Sequence, residues 1–274
     1  MNRHERRAAA SGARRGRDGG KPIASPAAEL HQRVVEAERR LGSEILSKGL
    51  SPKRVYDLVD SAVALADSYM AQSPTSPEAL ACGRGCNHCC HRPVGTTAPS
   101  VLRIAAALRE QRTEAEFAQA LARVVALDKK THGVPWTLAE RPPFPCAFLV
   151  DGDCSIYGVR PLVCRAWNSA DEDSCRRALA EESVEMRFDL YQRTTFAAAE
   201  QGIKVALGPH GLDATDLELT AAIRVAMENP DACERWLAGQ PVFAGCEAKR
   251  PPASANRRSL PVAVEAAGPP RGRR

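Results

Sequence analysis

Along most of the chain the apolar residues recur at steps of three and four, the period of a helix with one buried face. The first such segment runs from about Pro26 to Lys48, and Gly49 is a natural stop. Ser51-Pro52 then offers an N-cap followed by a proline at the first helical position. The helix they open reaches about Gln72, with Val55, Leu58, Val59, Ala62, Val63, Ala66 and Tyr69 on one face, and Pro74 to Pro77 end it. A third helix is predicted from about Ser100 to Glu110 and a fourth from Glu114 to Lys130, where Phe117, Leu121, Val124 and Val125 share a side. Asp173 to Val205 reads as one long helical stretch with Val184, Phe188, Tyr191 and Thr195 on a stripe. Leu217 to Met227 reads as the last clear helix, closed by Pro230.

Between Pro142 and Cys164 the pattern changes. Prolines are dense there, and two short apolar runs, Ala147 to Val150 and Cys154 to Tyr157, flank Asp151-Gly152. An Asp-Gly pair between such runs predicts a small β-hairpin. There is no internal repeat, no sustained heptad and no alternation of strand and helix, which excludes doubly wound sheets and TIM barrels. The expected fold is therefore mainly α: a compact helical domain with a small β-hairpin and a cysteine-rich metal-binding centre.

Composition agrees. Apolar residues make up 44% of the 274 residues, enough for a core, and aromatics only 5%, which disfavours a sandwich or barrel. No apolar run reaches the roughly 18 residues of a membrane-spanning helix, so no membrane partner is expected. The formal net charge of +5 suggests nucleic acid until it is located. Residues 1–27 carry seven Lys/Arg against Glu5 and Asp18, and residues 248–274 carry seven against Glu265. Residues 28–247 hold 24 bases and 30 acids. The body is acidic, and the positive charge sits in two Arg-, Gly-, Ala- and Pro-rich tails that read as disordered. No aromatics interleave the arginines, so nucleic acid is not the expected partner. The basic start is not followed by an apolar stretch of secretory type, which makes the cytoplasm the expected compartment.

Ten cysteines in a reducing compartment point to metal ligation or redox chemistry rather than to a disulfide framework. Four fall in CGRGCNHCCH, at Cys82, Cys86, Cys89 and Cys90. Gaps of two or three residues let two thiolates turn toward one ion, and Gly83 and Gly85 free the backbone for the tight turn required. Cys146, Cys154, Cys164 and Cys175 form a second, looser group on the hairpin and its exit. Cys89 and Cys90 point differently on any regular backbone, so one of them is expected to serve a second metal or a polynuclear centre. His88 and His91 could replace a thiolate, or be surface histidines held by the knuckle. Arg160 and Arg165 could hydrogen-bond sulfur, although Arg160-Pro161 also reads as a turn. Cys233 and Cys246 lie outside both groups and are expected to be free or structural thiols.

Two blocks, CGRGCNHCCHRPVGTTAPSVLRIAAAL and PFPCAFLVDGDCSIYGVRPLVCRAWNS, resemble the CxxCxxCC-type (YkgJ-like) cysteine-cluster family of zinc- or iron-chelating domain proteins. The first carries the resemblance through Gly85-Cys86, Cys89-Cys90-His91 and the helix that follows. The second does so through Cys146, Phe148-Leu149, Cys154, Ile156-Tyr157, Arg160-Pro161 and Cys164-Arg165. The motif core spans residues 82–175. The resemblance implies a mostly helical module binding zinc or iron. Some wider relatives are linked to methylation of flagellin lysines with an iron–sulfur centre.

The functional readings are then three. One is a metal-binding protein chelating zinc or iron, including as a [4Fe–4S] cluster, through Cys82, Cys86, Cys89, Cys90, Cys146, Cys154, Cys164 and Cys175. The second is an iron–sulfur enzyme such as a protein lysine methyltransferase or oxidoreductase. The third is a thiol redox protein using Cys86 and Cys89, for which the supporting βαβ pattern is missing. The Cys-x3-Cys-x2-Cys spacing at Cys82, Cys86 and Cys89 also occurs in radical enzymes using S-adenosylmethionine, but their β/α barrel scaffold is not legible here.

Overall fold

A computed structural model describes residues 25–83, 85–134, 143–180, 184–249 and 263–264. The helices are α1 (Pro26–Ser47), α2 (Pro52–Met70), α3 (Ala98–Gln111), α4 (Glu114–Thr131), α5 (Leu162–Ala166), α6 (Glu172–Leu179), α7 (Leu190–Leu207), α8 (Leu219–Glu228) and α9 (Ala232–Leu237). Short strands accompany them: β1 (Gly95–Thr96), β2 (Leu149–Val150), β3 (Asp153–Cys154), β4 (Phe188–Asp189), β5 (Leu217–Glu218) and β6 (Ala263–Val264). Helix supplies 62% of the described residues, which bears out the mainly α expectation. None of these helices is long and apolar enough to cross a membrane.

The caps explain several boundaries. The Ser51 hydroxyl accepts from the Arg54 N–H at 3.4 Å, with Pro52 at the first position of α2. Thr113 and Glu116 form a capping box on α4, each side chain accepting from the other's backbone N–H.

The scaffold is centred on α1, α2 and α7, which pack on one another, while α3 joins α2 to α8 and α4 covers α8. The approach of α1 to α7 is close enough to require glycine on both sides. A Cβ on Gly202 would lie 2.5 Å from Glu38 Cβ, and one on Gly42 would lie 2.8 Å from Ala206 Cβ. Polar groups then fix neighbouring ends. Glu200, buried on α7, accepts from Thr96 Oγ1 and from the Thr97 N–H, both at 2.9 Å, and so places a carboxylate at the N-terminus of α3. At the far end, Arg109 donates to the carbonyls of Ala226 and Met227 at 2.6 and 3.0 Å, covering the C-terminus of α8.

Two sequence expectations are corrected. Asp173 to Val205 is not one helix: α6 stops at Leu179, Phe188–Asp189 is a strand, and α7 starts at Leu190. Asn168 imposes the break, because its side chain accepts from the Asp189 N–H at 2.6 Å and donates to the Asp189 carbonyl at 3.1 Å. Asp189 in turn caps α7 by accepting from the Gln192 N–H at 2.5 Å. Phe188 therefore leaves the predicted helical stripe. Secondly, Leu217–Glu218 pairs antiparallel with Gly95–Thr96, α8 begins only at Leu219, and α9 follows where no helix was expected.

Most of the two predicted tails falls outside the described residues; within them, Ala263–Val264 pairs in parallel with Phe188–Asp189.

The α1–α7 contact yields a prediction. Glu38 is 0% exposed, and burial pushes its carboxyl up to about 8, with Ser61 Oγ at 3.5 Å the only donor among the described residues. The fold thus favours the protonated form. Stability should be highest below the ordinary carboxyl value, decline from about pH 4.5 toward pH 8, and carry the whole cost above that. The loss is on the order of 5 kcal/mol. Urea titrations across this range should show that Glu38→Gln removes this part of the slope. Equal slopes in both proteins would refute the assignment.

Candidate metal centre

Three segments build the centre. The first is the knuckle from Cys82 to His91. Gly85 has φ +91°, the left-handed turn for which glycine was expected, and the Cys86 N–H donates back to the Gly83 carbonyl at 3.2 Å. A turn of 3-10 helix, His88–His91, then carries Cys89 and Cys90.

The second segment is the β2–β3 hairpin. Leu149 pairs with Cys154 and Val150 with Asp153. Asp151 and Gly152 both have positive φ, 51° and 85°, as a two-residue type I′ turn demands. The hairpin is fastened to the knuckle twice. The Cys146 N–H donates to the Cys90 carbonyl at 2.8 Å, and Asn87 Nδ2 donates to the Gly152 carbonyl at 3.3 Å.

The third segment, α5 to α6, brings Cys164 and Cys175. It is tied to the start of the knuckle through Ser169, whose N–H points at Cys82 Sγ at 3.1 Å and whose carbonyl accepts from the Ala81 N–H at 2.9 Å.

The eight predicted cysteines fall into two neighbouring groups. Cys82, Cys86, Cys89 and Cys175 line one cleft together with His88, Arg92 and Trp167. Cys146 and Cys154 pack against the hydrophobic core, and Cys164 sits between the buried residues Leu162 and Ala166. Cys89 stands at the junction. Its thiol shares a hydrogen bond with Cys90 and lies within electrostatic reach of Cys82 and Cys86 on one side and Cys146, Cys154 and Cys164 on the other.

All ten cysteines are free thiols. Burial pushes Cys82 and Cys146 up to about 11, and it also raises Cys86, Cys154 and, most strongly, Cys164. For Cys89 the hydrogen bond with Cys90 is the largest cause of a strong upward displacement. The neighbouring thiols add to the effect, since ionising one disfavours ionising the next. These six thiols therefore hold their protons at neutral pH in the absence of a cation. A cation reverses that preference, and soft, crowded sulfur suits zinc, copper(I) or iron.

The histidines separate. His88 Nε2 meets Glu172 Oε1 at 3.2 Å, and those two atoms and Cys86 Sγ all lie within 4.8 Å of one another. His91 turns its Nδ1 to the Asn87 carbonyl at 3.2 Å, inside the knuckle's own turn. Arg160 lies over the Tyr157 ring at 3.9 Å and draws Cys154, Cys89 and Cys164 downward against their burial. Arg165 instead donates to the Gly158 carbonyl at 3.0 Å. Cys233 lies on α9, its thiol against the Tyr56 hydroxyl, and Cys246 lies beyond it with its carbonyl accepting from the Glu218 N–H at 2.7 Å. Both are buried in the core.

Sequence reasoning missed Arg92, Trp167 and Glu172. Arg92 follows the CCH run directly, which could have drawn attention to it; Glu172 carries no local signal, because only the fold of α6 brings it to His88.

Fold and site together define a mainly helical protein assembled around a cysteine-rich centre. Residues 81–184 match the family model CxxCxxCC, described as "Putative zinc- or iron-chelating domain". The matched stretch contains the knuckle, the hairpin and both later cysteines. No curated protein and no solved structure matches the chain.

Asn168 supports the third segment, since it donates to the Ala166 and Asp189 carbonyls at 3.2 and 3.1 Å and is itself buried. Asn168→Ala should cost about 1–3 kcal/mol in chemical denaturation, by leaving the Asp189 N–H unsatisfied. A change below a few tenths of a kcal/mol would show that this clamp does not hold the segment.

Proposed function

We propose that this protein binds zinc or iron through Cys82, Cys86, Cys89, Cys90, Cys146, Cys154, Cys164 and Cys175. The observation that carries this reading is the convergence of thiols from three separate segments on one locality, without a disulfide among them. Isolated buried cysteines, as at Cys233, need no such convergence. The family description agrees in the class of metal.

The donor chemistry fits. Four thiolates close a tetrahedral zinc site with Zn–S distances of about 2.3 Å, and the same donors accept iron alone or in a sulfide cluster. The Ser169 N–H directed at Cys82 Sγ is the kind of backbone donor that steadies a metal-bound sulfur. Fully thiolate-ligated zinc is characteristically structural, so a role in holding the three segments together follows most directly. A cytoplasmic location, where thiols stay reduced, is part of the same reading.

Anaerobic purification followed by elemental analysis tests it. Stoichiometric zinc or iron is expected, with Cys89→Ser and Cys154→Ser each lowering the content; protein free of both metals would overturn the proposal. The pH dependence has a fixed sign. Because thiols must give up protons to bind, affinity should rise between about pH 6 and pH 8, and zinc addition should release protons into weakly buffered solution. Flat affinity with no proton release would mean that thiols are not the donors.

A further inference from the structure

The two cysteine groups differ in their surroundings. The group at Cys146, Cys154 and Cys164 is half-buried against the core: the first two pack on it beside Phe148 and Ile156, which are 1% and 5% exposed, and the third follows Leu162, at 1%, by two residues. The group at Cys82, Cys86 and Cys175 opens on a cleft, and Cys82 is exposed as a residue while its thiol is turned inward to the Ser169 N–H. At the mouth of that cleft stand two donors of another kind. His88 Nε2 and Glu172 Oε1 lie with Cys86 Sγ inside one 4.8 Å circle, and the Glu172 side chain is 60% exposed while that of His88 is 18% exposed. A sulfur, a nitrogen and an oxygen so placed form a set that can hold a divalent ion with a coordination position left to solvent.

We propose that the centre holds two ions of unequal exchange rate, an inner one retained at Cys146, Cys154 and Cys164, and an outer, exchangeable one at Cys82, Cys86 and Cys175. Cys89 and Cys90 stand between the groups and complete them. This inference rests on the metal-binding reading above. When a thiolate of the outer set lets go and takes up a proton, His88 and Glu172 offer the ion an alternative nitrogen and oxygen, which gives it a path to an external acceptor. Among the described residues no comparable sulfur–nitrogen–oxygen set stands at the inner group, where the carboxylates within electrostatic reach are Asp153 and Glu218. Core side chains back it and Arg160 lies beside it, so exchange there requires the hairpin to move.

The test is a chelator challenge of the full-length protein loaded anaerobically with zinc, with release followed by a zinc-sensitive dye and bound metal counted by native mass spectrometry. Two ions per chain and two release phases of similar amplitude are expected. Cys175→Ser should remove the fast phase alone and Cys164→Ser the slow one. His88→Ala with Glu172→Gln should slow the fast phase roughly ten-fold, within the range by which residues around a metal site alter binding, and leave the slow phase unchanged. Cys175→Ser keeps the test decisive even where Cys164→Ser does not fold, because α6 lies on the open side. A single ion per chain, a single phase, or a fast phase indifferent to His88 and Glu172 would overturn this inference while leaving metal binding intact. Protein that takes up no zinc and contains no iron would overturn the metal-binding reading itself.

Discussion

Thiols crowded out of water cannot ionise together unless a cation joins them, and this constraint governs the arrangement around the knuckle. Without a cation the buried thiols keep their protons and behave as small apolar groups. They then pack acceptably, as Cys146 and Cys154 do against the core. With a cation they become the strongest ligands in the molecule. The three segments carrying them are joined by a few hydrogen bonds: the Cys146 N–H to the Cys90 carbonyl, the Asn87 side-chain amide to the Gly152 carbonyl, and the Ala81 N–H to the Ser169 carbonyl. Segments this short and irregular bury little surface of their own, so their mutual position depends on these bonds, on the scaffold beneath and on whatever binds the sulfurs.

The scaffold is suited to the task because it is rigid where the centre is not. α1 and α7 touch through glycine and alanine, a contact that leaves no room for repacking, and α7 extends this rigidity outward. Asp189 at its N-terminus meets Asn168, next to Trp167 of the cysteine-lined cleft. Glu200 in its middle caps α3, whose N-terminus follows the knuckle by a few residues. One helix thus positions both the entrance and the exit of the cysteine-bearing region. That is why its N-cap, which divides what reads as one helix into two, matters more than a boundary shift would suggest.

Much of this was legible in the sequence. Caps such as Ser51-Pro52, the Asp151-Gly152 turn and the need for glycine at residue 85 are local properties, and the structure has them where the spacing put them. The mainly α fold followed from periodicity, and the family match covers the blocks that carried the resemblance. What stayed hidden depends on contacts distant in sequence. The break before α7 comes from Asn168, 21 residues away, although Asp189-x-x-Gln192 was a capping signature that the apolar stripe obscured. The separation of eight cysteines into two neighbourhoods, with Cys89 between them, is a property of how the hairpin folds over the knuckle. Spacing along the chain does not encode it, and neither does it place Glu172 beside His88.

Thiolate ligation would require charge compensation. Four thiolates around a divalent ion leave a net charge of about −2, which a poorly hydrated site cannot carry alone. Each group has an arginine within reach. Arg92 lies near Cys175 and Cys89 with its guanidinium 5.6 Å from the centre of the Trp167 ring, and Arg160 lies near Cys89, Cys154 and Cys164, stacked on Tyr157. A planar guanidinium stacks on an aromatic face and keeps its proton when buried, whereas a lysine in the same place would lose its charge to desolvation. Arg160 Nε is buried with no hydrogen-bond partner among the described residues, an arrangement that anionic sulfur nearby would compensate. Beside the thiols, the positive charge comes from stacked arginines inside an acidic body.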